Sequence, residues 1–459
     1  MGMTFGSGIS ITGGLSVTSP PSDPYFSYTT LLLPGNGTNN AQNNTFLDSS
    51  TNNFTVTRAG NTTQGTLSPF SASAPYSAST KGGSMYFDGT GDYLTTPSSL
   101  AMALGSTFTV ECWIYVLSWN NSSPTILDVR DSNIVGAIYL ENNGTARMQT
   151  TATSTIASQT GITLNTWIHV AFVSDATSSR VYVNGSNTGA TNQGQALFPT
   201  TAKAGFIGAD FSGGYGFNGY ISNLRAVKGT ALYTANFTPP TAPLTAISGT
   251  SLLLSATNAG IIDNTMLNDL ETVGDAKIST TQSKFGESSM SFDGTGDWLV
   301  SPVSTNLGMG SGDFTIEGWF YATNPTYAQG FFHINATPIG GTVAGYAIGV
   351  TASGAVQYYS GGTYTTSSST VTANTWTHLA MVRSAGTVKV YVNGTLPASG
   401  GSIADSQNVT SALAYLGVFY AVSGGPYTMT GYINDFRVTK GIARYTANFT
   451  PPTTAFPLY

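Results

Sequence analysis

The segment FTVECWIYV, residues 108–116, alternates between two sets of side chains along its length. One set is apolar and comprises Phe108, Val110, Cys112, Ile114 and Val116. A period of two predicts a β-strand with one face against a hydrophobic core. The same phase returns in FTIEGWFYA, residues 314–322. This segment therefore predicts strand structure, and its return indicates a repeat.

The repeat extends over most of the chain and keeps its order. SMYFDGTGDYL at 84–94 returns as SMSFDGTGDWL at 289–299, NTWIHVAFV at 165–173 as NTWTHLAMV at 374–382, and GYISNLRAVKGTALYTANFTPP at 219–240 as GYINDFRVTKGIARYTANFTPP at 431–452. Each copy is much longer than a solenoid repeat, so the copies are tandem domains. We predict modules at 28–247 and 248–459. The N-terminal arm at 1–27 is either a disordered leader or a docking strap that adds a strand to a neighbour's sheet.

Turn residues separate the predicted strands throughout both copies. Asn184-Gly185 and Asn393-Gly394 supply the positive φ values of type I′ hairpin turns. One short helix is predicted within residues 261–274. Many strands joined by Gly, Asn and Pro turns predict an all-β fold of two tandem antiparallel β-sandwiches of the jelly-roll type.

Charged residues make up only 8% of the 459 residues. The net charge is −6, and Lys and Arg are scattered, which is a poor electrostatic match for nucleic acid or an anionic membrane. The N-terminal residues lack the basic and apolar regions of a secretion signal, and no apolar run is long enough to span a bilayer. We expect a protein made in the cytoplasm without a signal peptide, with no nucleic-acid partner and no membrane insertion.

The ordered motifs resemble those of laminin-G-like, concanavalin A-like jelly-roll domains over nearly all of both modules. The ending KGTALYTANFTPP, residues 228–240, resembles copies in structural proteins of tailed phages, above all marine ones. The resemblance implies a scaffold on the virion surface that binds glycan or protein. The arm would hold other virion proteins, the modules would contact cell-surface polysaccharide, and homotrimers are common among such fibres. A purely structural virion protein and a bacterial surface adhesin are the alternatives.

The repeated DGTGD loops contain the acidic candidates for metal binding. Asp88 with Asp92, and Asp293 with Asp297, stand in Gly-rich segments where oxygens could converge. Related jelly rolls bind calcium in their loops, but Asp-Gly is also an ordinary turn in which Asp binds its own backbone. Two carboxylates are few for calcium, so the sequence favours the turn and leaves calcium as the one candidate cofactor.

The repeated Glu and His residues are the catalytic candidates that a hydrolase would need. Glycosidases use two carboxylates flanking the scissile bond. Glu111 and Glu317 each lack a second carboxylate on their strand face, and His169 and His378 have no acidic neighbour in sequence. We therefore predict a protein that is not an enzyme, with packed histidines and an inert buried Cys112. In the closing segment, Arg225 is interpreted as a polar residue that separates apolar anchors, and the aromatic residues are interpreted as a clasp that closes the sandwich.

Sugar binding requires exposed aromatic rings beside hydrogen-bonding groups. The matched tryptophans of the two copies are assigned to packing, and aromatic residues that differ between the copies or stand near turns are the better candidates. The predicted glycan-binding residues are Trp119, Tyr215, Trp298, Tyr327, Tyr358, Tyr359 and Tyr364.

Overall fold

The computed structural model describes residues 22–70, 75–130, 136–151, 154–175, 177–188, 193–194, 198–335, 344–420 and 426–458. The predicted N-terminal arm lies outside the described residues as far as residue 21. Helical structure in the described part is limited to one helical turn, Ala78–Lys81, and two 3₁₀ turns, Phe26–Tyr28 and Leu100–Met102. No helix there has the length and hydropathy to cross a bilayer.

The first sandwich consists of two antiparallel sheets, whose strands are numbered in chain order. Its larger sheet contains, in spatial order, β13 (Gln193–Gly194), β12 (Ser178–Val183), β11 (Trp167–Ser174), β6 (Phe108–Val116), β15 (Asn218–Lys228), β4 (Ser84–Asp88) and β3 (Thr63–Gly65). Its smaller sheet contains β10 (Ser154–Thr160), β9 (Thr145–Thr151), β8 (Ala137–Glu141), β7 (Thr125–Asp128), β14 (Phe206–Ile207), β5 (Tyr93–Thr95) and β2 (Thr57–Ala59).

The second sandwich repeats this order strand for strand. Its larger sheet contains β28 (Ser402–Ala404), β27 (Thr387–Val392), β26 (Trp376–Ser384), β21 (Phe314–Ala322), β32 (Thr430–Lys440), β19 (Ser289–Asp293) and β18 (Lys277–Ser279). Its smaller sheet contains β25 (Thr363–Thr370), β24 (Ala355–Ser360), β23 (Gly345–Val350), β22 (Gln329–Asn335), β29 (Leu413–Leu416), β20 (Trp298–Val300) and β17 (Glu271–Val273). An additional ribbon joins β30 (Val418–Tyr420) to β31 (Pro426–Thr428). The predicted all-β class with tandem antiparallel sandwiches is confirmed.

Each sandwich has its own hydrophobic core between its two sheets. The apolar face of β6 enters the first core as the alternation predicts, and β21 does the same in the second. The predicted hairpin turns are also confirmed, because Asn184, Gly185, Asn393 and Gly394 all have positive φ values.

The two sandwiches exchange the first strand of each repeat. β1 (Thr29–Leu33) pairs with β32 in the second sandwich, with Leu31 opposite Val438. β16 (Thr250–Leu254) pairs with β15 in the first sandwich. The module boundary at 247/248 stays a prediction of the sequence, and the structure adds that the opening strand of each module lies in the other sandwich. Because TTLLL and TSLLL have the same pattern, the sequence does not specify which sheet each strand joins.

The exchange is held by matching hydrogen bonds between the repeats. Oδ1 of Asp48 accepts from the backbone N–H of Leu253 at 2.9 Å, and Oδ1 of Asp263 accepts from that of Leu32 at 3.0 Å. Where the two connecting segments cross, the buried Asn43 amide donates to the carbonyls of Ile261 and Leu270 and accepts from the Ile261 N–H. A buried amide that satisfies three backbone groups fixes the two segments relative to each other.

The helix predicted within 261–274 is wrong, because this segment forms turns and β17. The carboxylate of Asp263 accepts from the backbone N–H groups of Thr265 and Asn268. These bonds offer the backbone a partner outside a helix, which is how Asp disfavours helix interiors.

Removing part of an exchanged strand should loosen the sheet of the opposite repeat. Leu31 and Leu252 are entirely buried, so replacement by Ala should cost about 2–5 kcal/mol. We expect Leu31→Ala to speed hydrogen exchange of backbone amides in β32 and Leu252→Ala to speed it in β15, measured by mass spectrometry. Faster hydrogen exchange in β15 for Leu31→Ala, and in β32 for Leu252→Ala, would contradict the strand exchange between the repeats.

Asp269 is a buried carboxyl at the junction of the repeats. Its oxygens accept from the Leu67 N–H at 3.0 Å and the Ser84 hydroxyl at 2.9 Å. Burial raises the pKa of Asp269 to about 8 in spite of these bonds, and the charge of Asp263 adds to the rise.

The raised pKa predicts that ionisation of Asp269 weakens the fold. Because the folded pKa lies above the ordinary value of 3.8, the contribution of this group to stability is full below that value and is lost as the pH rises towards 8. We expect Asp269→Asn to raise the Tm relative to the parent protein at about pH 9 more than at about pH 4. The exposed Asp275→Asn is the control, and a difference that does not vary with pH would refute the prediction.

Candidate functional site

The repeated Glu of each module lies in a buried polar cluster on the outer face of the larger sheet. Nε and Nη2 of Arg225 donate to Oε1 of Glu111 at 3.1 and 2.5 Å. The Tyr233 hydroxyl donates to Oε2 at 2.8 Å, and Nε2 of His169 lies 3.3 Å from the same oxygen. Arg225 is therefore a buried partner of Glu111, and its interpretation as a polar residue that only separates apolar anchors is wrong.

The second module repeats the cluster with the same geometry. Glu317 accepts from Arg437 at 3.1 and 2.6 Å and from the Tyr445 hydroxyl at 2.8 Å, with His378 at 3.3 Å. One carboxylate is added here, because Asp23 accepts from Nη1 of Arg437 at 2.9 Å. Part of the predicted arm thus docks on the second module.

Stacked aromatic rings of the closing segment cover each cluster. Tyr233 and Phe237 stack with centroids 3.6 Å apart, and Phe237 meets His169 edge-on at 5.7 Å. Tyr445 and Phe449 stack at the same distance in the second module. The predicted clasp is confirmed, and it explains why both faces of β6 and β21 are buried.

The side chains of the buried clusters are paired inside the protein, and none of them lines any of the three cavities described below. Glu111, Glu317, His169 and His378 are entirely buried. Although burial tends to raise the pKa of Glu317, Arg437 and His378 outweigh it and hold the pKa at about 2. A carboxylate held ionised by a permanent partner serves to fix β21 to β32 and to the clasp.

The aspartates of the DGTGD loops are engaged by backbone donors. Asp92 accepts from the Asn61 N–H at 2.7 Å and the Asp88 N–H at 2.9 Å, and Asp88 accepts from the Thr90 N–H. Asp293 and Asp297 make the equivalent bonds in the second module. The predicted turn is therefore present in both modules. Among the described residues, no group of three or more His, Cys, Asp and Glu is placed to hold a metal, and calcium stays a prediction.

Each module has a cavity beside the loop that precedes its last strand. In the second module a cavity of about 420 Å³ opens against β22 to β25 and the ribbon of β30 and β31. Tyr364 is 39% exposed and meets Phe419 edge-on at 5.5 Å, while Phe419 stacks loosely with Tyr427 at 6.3 Å. Gln329 and Gln357 add amide groups to this aromatic wall.

The equivalent cavity of the first module measures about 400 Å³ and has a polar lining. Arg130 pairs with Asp128 at 2.6 Å and lies over the Phe211 ring at 5.3 Å. Tyr215, 51% exposed, stands at the rim with a positive φ of 50°. The two modules thus place different chemistry at one position of their common fold.

A third cavity of about 410 Å³ lies between the modules and is lined in part by Trp298.

The predicted glycan-binding residues therefore separate into groups according to the cavity that they line. Tyr358 and Tyr364 share the cavity of the second module, and Tyr215 lines that of the first. Trp119, Tyr327 and Tyr359 line none of the three. Trp119 packs against the core, and Tyr327 is hydrogen-bonded to Thr430.

Sequence reasoning missed Phe419, Tyr427 and Arg130 as cavity residues. Phe419 and Tyr427 stand in GVFYAVSGGPYTM, residues 417–429, which differs from its counterpart in the first copy, GADFSGGYGF at 208–217. That divergence was the available signal.

Breaking the buried cluster should destabilise the protein. Removing one partner of a buried ion pair costs about 3–5 kcal/mol. Because the folded pKa of Glu317 lies below its ordinary 4.5, its contribution is present above that value and is lost as the pH falls towards 2. We expect Glu317→Gln to lower the Tm near pH 7 and to lower it less near pH 2, measured by calorimetry. The exposed Asp293→Asn is the control, and an unchanged Tm at neutral pH would contradict the structural role.

The chain is similar to several solved structures at low sequence identity. Domains LG4-5 of the mouse laminin alpha1 chain are 12% identical, with 87% of this chain and 95% of that chain covered and a TM-score of 0.28. Domain 4 of AbnA, an extracellular arabinanase from Geobacillus stearothermophilus solved with arabinotriose, is 17% identical, with 42% and 94% covered and a TM-score of 0.25. A Trypanosoma rangeli sialidase is 10% identical, with 80% and 59% covered and a TM-score of 0.33. No protein of curated function matches the sequence.

A family model, Laminin_G_3, matches both modules. It covers residues 88–232 and 293–442, which together make up more than half of the chain. The matched regions contain the DGTGD loops, the strands β6 and β21 and the Glu, His and Arg residues of both buried clusters. The chain therefore belongs to the concanavalin A-like lectin/glucanases superfamily, as two laminin-G-like β-sandwiches of a class that binds carbohydrate or protein.

Proposed function

We propose that the chain is a non-enzymatic saccharide-binding protein of a virion surface, as a fibre, tail or capsid-decoration component of a phage. One observation carries the binding function: each module has a cavity at the same place in its fold, and the lining differs between the copies. Repeated residues build the sandwiches, whereas these cavities lie where the copies diverge. Such divergence is expected of recognition surfaces on a common scaffold.

The lining of the second cavity fits a sugar ring. Tyr364, Phe419 and Tyr427 offer aromatic faces for the apolar C–H side of a pyranose. The Gln357 amide lies beside them, 3.0 Å from the Thr366 hydroxyl, and can exchange that bond for a sugar hydroxyl. The first cavity, with Arg130, Asp210 and Tyr215, suits a more polar saccharide.

The non-enzymatic part of the proposal is supported by the buried clusters. Glu111 and Glu317 are the carboxylates that the two copies share on β6 and β21, and each is paired inside its module. A hydrolase would need two carboxyl groups flanking one scissile bond, and Glu111 and Glu317 lie in different modules.

The virion setting is supported by the resemblance of the closing segment to phage structural proteins. Weak contacts at two cavities per chain, multiplied over the copies on one particle and over a possible homotrimer, would give strong attachment to cell-surface polysaccharide. The N-terminal arm would attach the chain to other virion proteins. A density map of the chain on its native particle, with the two cavities facing away from the particle, is the result that this setting requires.

Loss of one aromatic wall should weaken binding at one cavity. We expect the full chain to bind saccharides on a glycan array. Tyr364→Ala should weaken binding to the saccharides that occupy the second-module cavity about tenfold, because stacking on the ring is lost. Tyr215→Ala tests the first cavity in the same way, and Tyr25→Ala, also exposed, is the control. An array without any bound saccharide would refute the proposal and favour a purely structural virion protein.

A further inference from the structure

The third cavity is built by both modules. Its floor is the outer face of the smaller sheet of the second sandwich, where Trp298 and Val300 pack against Leu413 and Tyr415. Its wall comes from the first module, where β3 and β4 contribute Thr63, Tyr86 and Asp88, with Asn61 at the rim. Neither module alone encloses this space.

Two differences between the copies meet in this cavity. The segments SMYFDGTGDYL and SMSFDGTGDWL differ at only two of their positions, Tyr86 against Ser291 and Tyr93 against Trp298. The larger residue of each pair, Tyr86 from the first copy and Trp298 from the second, lines the cavity, whereas Ser291 and Tyr93 do not. The changes that separate the copies thus place an aromatic ring on each side of one cavity.

Both rings are held by their own module before any ligand binds. Tyr86 packs against Tyr220 with centroids 5.1 Å apart, and Trp298 rests on the cluster of Leu413, Tyr415 and Val418. The walls are joined across the modules by Arg58 with Glu271 at 2.5 Å and by the Thr63 hydroxyl, which donates to the Leu270 carbonyl at 2.7 Å. A preformed site loses little entropy on binding.

We infer that this cavity is a saccharide site shared by the two modules and specific for neutral sugars. The Trp298 ring provides a platform for the apolar face of a sugar, and Asp88, Asn61 and Ser301 provide hydrogen-bonding groups at its edge. Asp88 accepts hydrogen bonds from sugar hydroxyls and repels carboxylate groups, whereas Glu271 is paired with Arg58, so uronic and sialic acids are disfavoured at the Asp88 edge. This inference shares the ligand class of the proposed function but none of its residues.

The test exchanges residues between the copies in the full chain. The probes are neutral hexasaccharides of glucose, mannose, galactose and N-acetylglucosamine, with hexagalacturonate as the anionic comparison, and binding is followed by saturation-transfer NMR and tryptophan fluorescence. We expect at least one neutral probe to bind, with affinity reduced about tenfold by Tyr86→Ser and several-fold by Trp298→Tyr. Ser291→Tyr and Tyr93→Trp, which alter the equivalent strand positions outside the cavity, should leave its affinity unchanged.

Asp88→Asn provides a second test that keeps the loop, because Asn can still accept from the Thr90 N–H. We expect it to raise the affinity for hexagalacturonate relative to the parent chain, whereas Asp293→Asn, its counterpart outside the cavity, should not. Binding of the neutral probes that is unaffected by both Tyr86→Ser and Trp298→Tyr would overturn the inference, as would no binding at all. If Tyr364→Ala abolishes all binding while these variants do not, the proposed function stands and this inference fails.

Discussion

Each sandwich depends on a strand that the other repeat supplies. β1 places Leu31 in the core of the second sandwich, and β16 places Leu254 in the core of the first. Burying such leucines is worth about 1.5–3 kcal/mol each, so neither core is complete without the other half of the chain. The exchange makes the two modules one folding unit and holds β3 and β4 of the first against the smaller sheet of the second. The cavity between the modules exists for this reason.

Three of the few charged residues are arginines that make buried internal contacts. Arg225, Arg437 and Arg383 are almost entirely buried, and each is paired with a carboxylate. Buried ion pairs are not a general source of stability, but a partner that is missing leaves an expensive unpaired charge. The clusters therefore specify how the closing segment lies on its module.

The sequence was sufficient for the fold because its signals are local. Alternation in β6 and the Asn-Gly turns specify strands and hairpins within a few residues, and the repeat shows that there are two modules. The strand exchange could not be predicted, because two nearly identical segments compete for two nearly identical positions. The partnership of Glu111 and Arg225 spans 114 residues and leaves no periodic signal. For the candidate sites, the sequence identified where the copies differ, as at Trp298, but not that Tyr86 would face it from the other module.

The pairing of β1 with β32 also decides how the molecule responds to tension. In this antiparallel pair Thr29 lies opposite Thr439, and Leu33 lies opposite Phe436. The chain enters β1 and leaves β32 at the same end of the pair, so a pull that separates residues 22 and 458 loads the hydrogen bonds one after another instead of all together. The Asp23 contacts to Arg437 and Arg444 stand first in that line. Under load, β1 would separate from β32 one hydrogen bond at a time, and the second sandwich would unfold before the first.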